Sequence, residues 1–141
     1  MLKALIPVDG SENSLRAVRH VIGLVQGREP MEIHVVNVQE PVEAWEVKRV
    51  FRPEEIEATQ ELQGGDELHA ARELLKAANV PHICEVLLGD IAASIVKYAH
   101  DQHCDKIIMG THGRSALSSL LLGSVTTKVI QLTDIPVTVV K

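Results

Sequence analysis

A chain of 141 residues with a net charge of −5 has the length of a single domain, read here as residues 1–141, and is long enough to bury a sizeable core. Hydrophobic residues make up 45% but aromatic residues only 2%, so that core is built from Val, Ile, Leu and Ala. No long basic run invites nucleic acid, and no segment approaches the roughly 18 consecutive apolar residues that span a membrane.

Lys3 to Val8 reads as a first strand, with Pro7 tolerated at its end where no ladder N–H is needed. With no signal-peptide plan at Met1–Pro7, and with Cys84 and Cys104 lacking metal-ligand spacing, the expectation is a cytoplasmic protein. Asp9 falls at the carboxyl end of this strand, where open α/β sheets bind ligands; capping the next helix is its other reading. A first helix is predicted over about 14–26, with Leu15, Val18, Ile22 and Val25 on one stripe. A second strand follows over 32–38.

Residues 40–53 show no clean period and hold Trp45 and Phe51, which are expected to pack on their own domain. Pro53-Glu54-Glu55 starts a second helical region, with a proline and acids in its first turn. Gly64-Gly65 predicts a break, kink or frayed start within it, since each glycine costs about 1 kcal/mol against Ala. Leu68, Ala71, Leu74, Leu75 and Ala78 point inward, and Asn79 serves as a stop. A third strand over 82–88 leads through Gly89-Asp90, with Asp90 as N-cap, into a helix over about 91–102 whose core stripe is Ile91, Ile95, Val96 and Ala99. Residues 106–109 form a fourth strand. A last helix from about Ser124 carries Val125, Val129, Ile130 and Leu132 inward, and Val137–Val140 is a fifth strand. Strands separated by helices pair in parallel, so the fold class is α/β, one open five-stranded parallel sheet with helices on both faces.

The most informative stretch leaves the fourth strand. Gly110 and Gly113 stand three apart, and Gly123-Ser124 follows Gly113 with nine residues between. Glycines let backbone come close to a ligand. A Gly-Ser at a helix start offers bare N–H groups and a hydroxyl to an anion. Arg114 adds a fixed positive charge. Together they read as a phosphate cradle of a different kind from the Walker type, since no Gly-Lys-Ser/Thr occurs in the chain.

Gly-x2-Gly-x9-Gly-Ser after a fourth strand resembles the nucleotide-binding members of the universal stress protein family, and the resemblance runs the length of the chain. It implies a Rossmann-like sheet of order 3-2-1-4-5, which sets Asp9 and Gly110 on one crevice. It implies ATP, or AMP or ADP, as ligand: the base against Val38 (Val36 if the register slips) and near Asp9, with Pro7, Val8 and Met109 beside it. The ribose would pass Gly110, and the phosphates would meet His112, Gly113, Arg114, Gly123, Ser124, Val125 and Thr126. Magnesium would ride on the phosphates, with no metal ligand from protein side chains. Similar proteins form homodimers through the fifth strand, here Val137–Val140.

The implied function is an ATP-binding regulatory protein of the stress response. An interaction dimer without nucleotide, and a slow ATPase or phosphotransferase with His112 as base, remain alternatives. A phospho-receiver domain shares the five-strand plan but needs clustered acids at strand one and an acceptor aspartate at strand three, which this sequence lacks.

Overall fold

The computed structural model describes residues 1–112 and 122–141. In chain order the elements are β1 (Leu2–Pro7), α1 (Glu12–Gln26), β2 (Met31–Gln39), α2 (Trp45–Val50), α3 (Pro53–Ala77), β3 (Ile83–Leu88), α4 (Ile91–Asp101), β4 (Lys106–Gly110), α5 (Ser124–Leu132) and β5 (Val137–Val140). The five strands form one sheet of order β3-β2-β1-β4-β5, and every pairing is parallel.

Alternation along the strands builds two cores. Ala4, Ile6, Ile33 and Val35 face one side, where Val18 and Val21 of α1 and Leu68, Ala71 and Leu75 of α3 cover them. Leu5, Val36, Ile107 and Met109 face the other, under Ile95 and Ala99 of α4 and Val129 of α5. Full burial of a side chain such as Leu5 or Ile6 contributes about 1.5–3 kcal/mol.

The ends of the helices follow their residues. Ser11 caps α1, its side chain accepting from the Ser14 N–H at 3.3 Å. Asp90 caps α4 through the Ala93 N–H at 3.0 Å. Past the end of α3, Asn79 takes the left-handed conformation at φ 56°, as its place after the helix suggests.

Four expectations are corrected. The Gly64-Gly65 pair does not break α3, which runs unbroken through it. A Cβ on Gly64 would stand 2.6 Å from Val86 Cγ1 and 3.0 Å from Asn37 Oδ1, so the glycine lets the helix lie close on the sheet. Within 40–53 a short helix, α2, does form, yet it buries nothing: Trp45 is 62% and Phe51 49% exposed, and Arg49 lies over the Trp45 ring. On α1 the buried set is Ser14, Ala17, Val18 and Val21, with Leu15, Ile22 and Val25 at its margins, because small residues permit the closest approach to the sheet. On α5 Thr126 and Val129 face inward, whereas Ile130 and Leu132 are exposed.

β5 pairs with β4 on one side and is the outer strand of the sheet. The Ile107 N–H donates to Pro136 O at 2.9 Å and the Thr111 N–H to Val140 O at 3.1 Å. Residues of even number in β5 therefore face β4, and the N–H and C=O groups of Val137 and Val139 point outward.

Candidate functional site

The pairing of β1 with β4 covers only Ala4↔Lys106 and Leu5↔Ile107. Beyond that the two strands part, at the point where the chain order of the sheet reverses, and a crevice opens at their carboxyl ends. It is a cleft of about 550 Å³, lined by Pro7, Val8, Asp9, Ser14, Val38, Ile91, Ile95, Met109, Gly110, His112, Val125 and Thr126. Most of this lining is aliphatic, and Asp9, Ser14, His112 and Thr126 supply its polar side chains.

Most of the residues singled out from the sequence meet here: Pro7, Val8 and Asp9 from the end of β1, Val38 from β2, Met109, Gly110 and His112 from β4 and its exit, and Val125 and Thr126 from α5. Ser124 opens α5 and lines an adjoining cavity with Glu40, Asp90 and Lys128, which shares Ile91 and Val125 with the cleft. Gly123 is the N-cap residue of α5 and has no side chain to cap with. Its N–H donates to Thr111 O at 2.6 Å, which ties the start of α5 to the end of β4. Gly113 and Arg114 lie outside the described residues.

Local hydrogen bonds fix these polar side chains. Asp9 Oδ1 accepts from the Ser11 N–H at 2.9 Å, so the carboxylate braces the turn into α1 while Ser11 does the capping. Gly10 in that turn has φ 82°, a conformation that favours glycine. His112 Nδ1 lies 3.1 Å from Thr111 Oγ1.

Two residues have structural tasks that the sequence did not reveal. A Cβ on Gly110 would stand 2.5 Å from the backbone oxygen of Asn13, so Gly110 is required by the packing of α1 on β4. Thr126 is buried, and its hydroxyl donates to Gly110 O at 3.0 Å, which spends its proton inside the protein.

Ser14, Ile91 and Ile95 were not anticipated on the cleft. Ile91 and Ile95 stand four apart at the start of α4 and read from sequence as core stripe; their spacing gives no sign that one end of the stripe faces a cleft. Val38 lies on the same face of β2 as His34 and Val36.

α4 is held against β2 by a buried polar contact. His34 is 3% exposed and lies 2.7 Å from the Tyr98 hydroxyl and 2.9 Å from Glu32 Oε1. The ionised carboxylate only accepts, so His34 Nε2–H donates to it, and Nδ1 of the neutral ring accepts the Tyr98 O–H. The bond from His34 lowers the Glu32 carboxyl from its ordinary value against the opposing effect of burial, with the Lys3 charge adding to the lowering. Burial, with Glu85 nearby, pushes the Tyr98 hydroxyl up to about 12. Burial likewise raises the thiols of Cys84 and Cys104, which leaves both as neutral packing groups. Among the described residues no three His, Cys, Asp or Glu side chains stand together as metal ligands, and no helix is long and apolar enough to cross a membrane.

Known proteins share this fold. The chain is 35% identical over 146 residues to the universal stress protein MJ0531 of Methanocaldococcus jannaschii, covering 99% of this chain and 81% of that one. The structure of MJ0577 from the same organism superposes with a TM-score of 0.85 at 30% identity, covering 99% of this chain and 95% of that chain. A universal stress protein solved in complex with cAMP superposes with a TM-score of 0.72 at 21% identity, covering 99% and 97% of the two chains. Residues 1–141 match the family described as the universal stress protein family from end to end, and with that match and the MJ0531 likeness over nearly its whole length, the chain belongs to the universal stress protein family.

Proposed function

We propose that this protein binds an adenine nucleotide, ATP or its AMP or ADP forms, in the cleft between β1 and β4, and acts through its occupancy as a cytoplasmic regulator of the stress response. The observation that carries this reading is the cleft itself. It sets the apolar side chains of Val8, Val38, Ile91, Ile95 and Met109 beside Val125 and Thr126 at the start of α5. Gly123 leaves the first turn of that helix without a side-chain cap, and a helix start attracts an anion. The base would lie among the aliphatic groups beside Asp9. The phosphates would meet the N–H groups of Ser124 and Val125 and the Ser124 hydroxyl, with Gly113 and Arg114 completing the motif.

Proteins of the same fold have been solved with cAMP and with dAMP, which makes adenine nucleotides the first ligands to test. Magnesium would arrive on the phosphates, since Asp9 is the one carboxylate among the described residues on the cleft. The reading assigns no catalytic residue, and hydrolysis of bound ATP is at most slow. A homodimer through the outward groups of Val137 and Val139 is part of the same proposal.

Competition calorimetry with ATP and GTP tests it. ATP is expected to bind more tightly, because backbone groups at Val38 complement the adenine edge. Equal affinity removes the base-reading role, and failure to bind any adenine nucleotide removes the proposal.

A further inference from the structure

We propose that Asn37 creates the base-reading edge of the cleft by taking one rung out of the sheet. The proposal rests on the adenine-nucleotide reading above and names a positioning residue for it.

In a parallel ladder the N–H and C=O of one residue point to the same neighbouring strand. The Val8 N–H donates to Val36 O at 2.8 Å. Regular continuation would bring the Val38 N–H to Val8 O. The register instead ends at Pro7↔Val36. Val8 O accepts from the side chain of Asn37, Nδ2 at 3.0 Å. The carbonyl stays satisfied, and the Val38 N–H is not needed there. Among the described residues no other backbone carbonyl outside the ladder takes it. By alternation, the N–H and C=O of Val38 face the β1 side of β2, just past the end of β1, where the cleft opens and Val38 lines it.

The carboxamide cannot turn over. Asn37 is 1% exposed, and its second amide proton goes to Glu67 Oε2 at 2.6 Å. Its Oδ1 accepts from Gln39 Nε2 at 2.8 Å, and Gln39 gives its other proton to the same Glu67 oxygen at 2.9 Å. All four amide protons are spent. Reversal would set Oδ1 against both Val8 O and the Glu67 carboxylate. α3 thus reaches through Glu67 to decide which donor serves Val8, and with it which donor the cleft keeps. A free N–H beside a C=O matches adenine, whose edge offers an acceptor nitrogen and an amino donor, and mismatches guanine, whose corresponding edge is reversed.

Amide hydrogen exchange followed by NMR, paired with calorimetry, tests this. In the free wild-type protein the Val38 N–H is expected to exchange at least about tenfold faster than the Val36 N–H inside the ladder, and to slow on addition of ATP but not of inorganic tripolyphosphate. In Asn37→Val the rung closes. Val38 exchange then slows in the free protein, and ATP affinity falls about tenfold, the equivalent of roughly one hydrogen bond. Tripolyphosphate affinity stays unchanged. Equal protection of Val38 and Val36 in the free wild type overturns the proposal, and so does an Asn37→Val variant that loses ATP and tripolyphosphate alike. If that variant does not fold, the wild-type exchange rates decide. A wild type that binds no adenine nucleotide removes the reading of the cleft; fast Val38 exchange then still supports the missing rung, and slow exchange overturns it.

Discussion

Backbone groups of the sheet lack a neighbouring strand at its two edges, β3 and β5, and in the gap between β1 and β4, and the gap and the β5 edge have different surroundings. Between β1 and β4 the gap begins past Leu5↔Ile107 and is walled by α1, α4 and α5 into a cleft of about 550 Å³. Outside β5 the open groups of Val137 and Val139 run along a half-buried edge. A walled gap suits a small molecule better than a chain. An unwalled edge offers little grip to a small molecule, but matches a strand group for group. In the functions proposed here, the same kind of unpaired N–H would serve recognition of two kinds, and the walls would decide which.

Substitution at Gly110 breaks the walled region most severely. In Gly110→Ala the new Cβ would stand 2.5 Å from Asn13 O, which is backbone and cannot swing aside. α1 has to back away from β4, at a cost of about 1–3 kcal/mol or more. Urea unfolding should show the loss, together with weaker nucleotide binding as Ser14 and Asp9 move with α1. An unchanged midpoint would mean that α1 is not held at this distance.

Tyr98→Phe loosens the opposite wall. It leaves Nδ1 of a His34 that is 3% exposed without its 2.7 Å partner, which costs about 1–3 kcal/mol. The same contact carries a pH signature. Tyr98 is the chain's one tyrosine, so its phenolate absorbance reports a single group. Its folded pKa of about 12 lies above the ordinary 10.0, so folding favours the neutral hydroxyl. The stability this contributes is fully present below about pH 10 and is lost as pH rises through about 12. Wild-type stability should therefore fall more steeply over that window than that of Tyr98→Phe. Parallel pH profiles would show that Tyr98 does not hold α4.

Gly123→Val should leave stability within about 0.5 kcal/mol of wild type and abolish ATP binding. Gly123 has φ −69° and ψ 164°, extended backbone that a β-branched residue adopts freely. The added side chain would crowd the approach to the first turn of α5. Binding as tight as wild type by calorimetry would place the phosphate site elsewhere.

These contrasts also mark what was legible in the sequence. The strands were, because buried parallel strands are short aliphatic runs such as Ile107-Ile108-Met109 and need no partner to be recognised. The strand order and the cleft residues came with the family motif, whose glycine spacing survives in one chain. What stayed hidden depends on neighbours far away in sequence. Gly64 reads as a helix breaker until Val86 and Asn37 are seen across from it, and Gly110 reads as ligand space until Asn13 fills that side. The hydroxyl of Thr126 reads as a phosphate donor until Gly110 O takes its proton. α5, with nine residues, is too short for periodicity to say which of Val129, Ile130 and Leu132 faces inward.

The smallest expected effect on the fold belongs to the open edge. Val139 pairs with Met109 by register, but its N–H points away from β4. Val139→Pro therefore removes no hydrogen bond within the chain, and proline is tolerated on an edge strand when its missing N–H faces outward. Stability of the single chain should change by less than about 0.5 kcal/mol. In an isologous dimer built on β5, the symmetry removes that donor from both copies at once, and proline rings crowd the seam from both sides. Light scattering should then find wild type as a dimer and Val139→Pro as a monomer, with ATP affinity unchanged, because the walled cleft lies on the far side of β4 from this edge. A wild type that is monomeric at tens of micromolar would show that the open groups of Val137 and Val139 are left to water. A dimer that survives the substitution would place the seam on another surface, of which the exposed Trp45 and Phe51 around α2 would be the first to test.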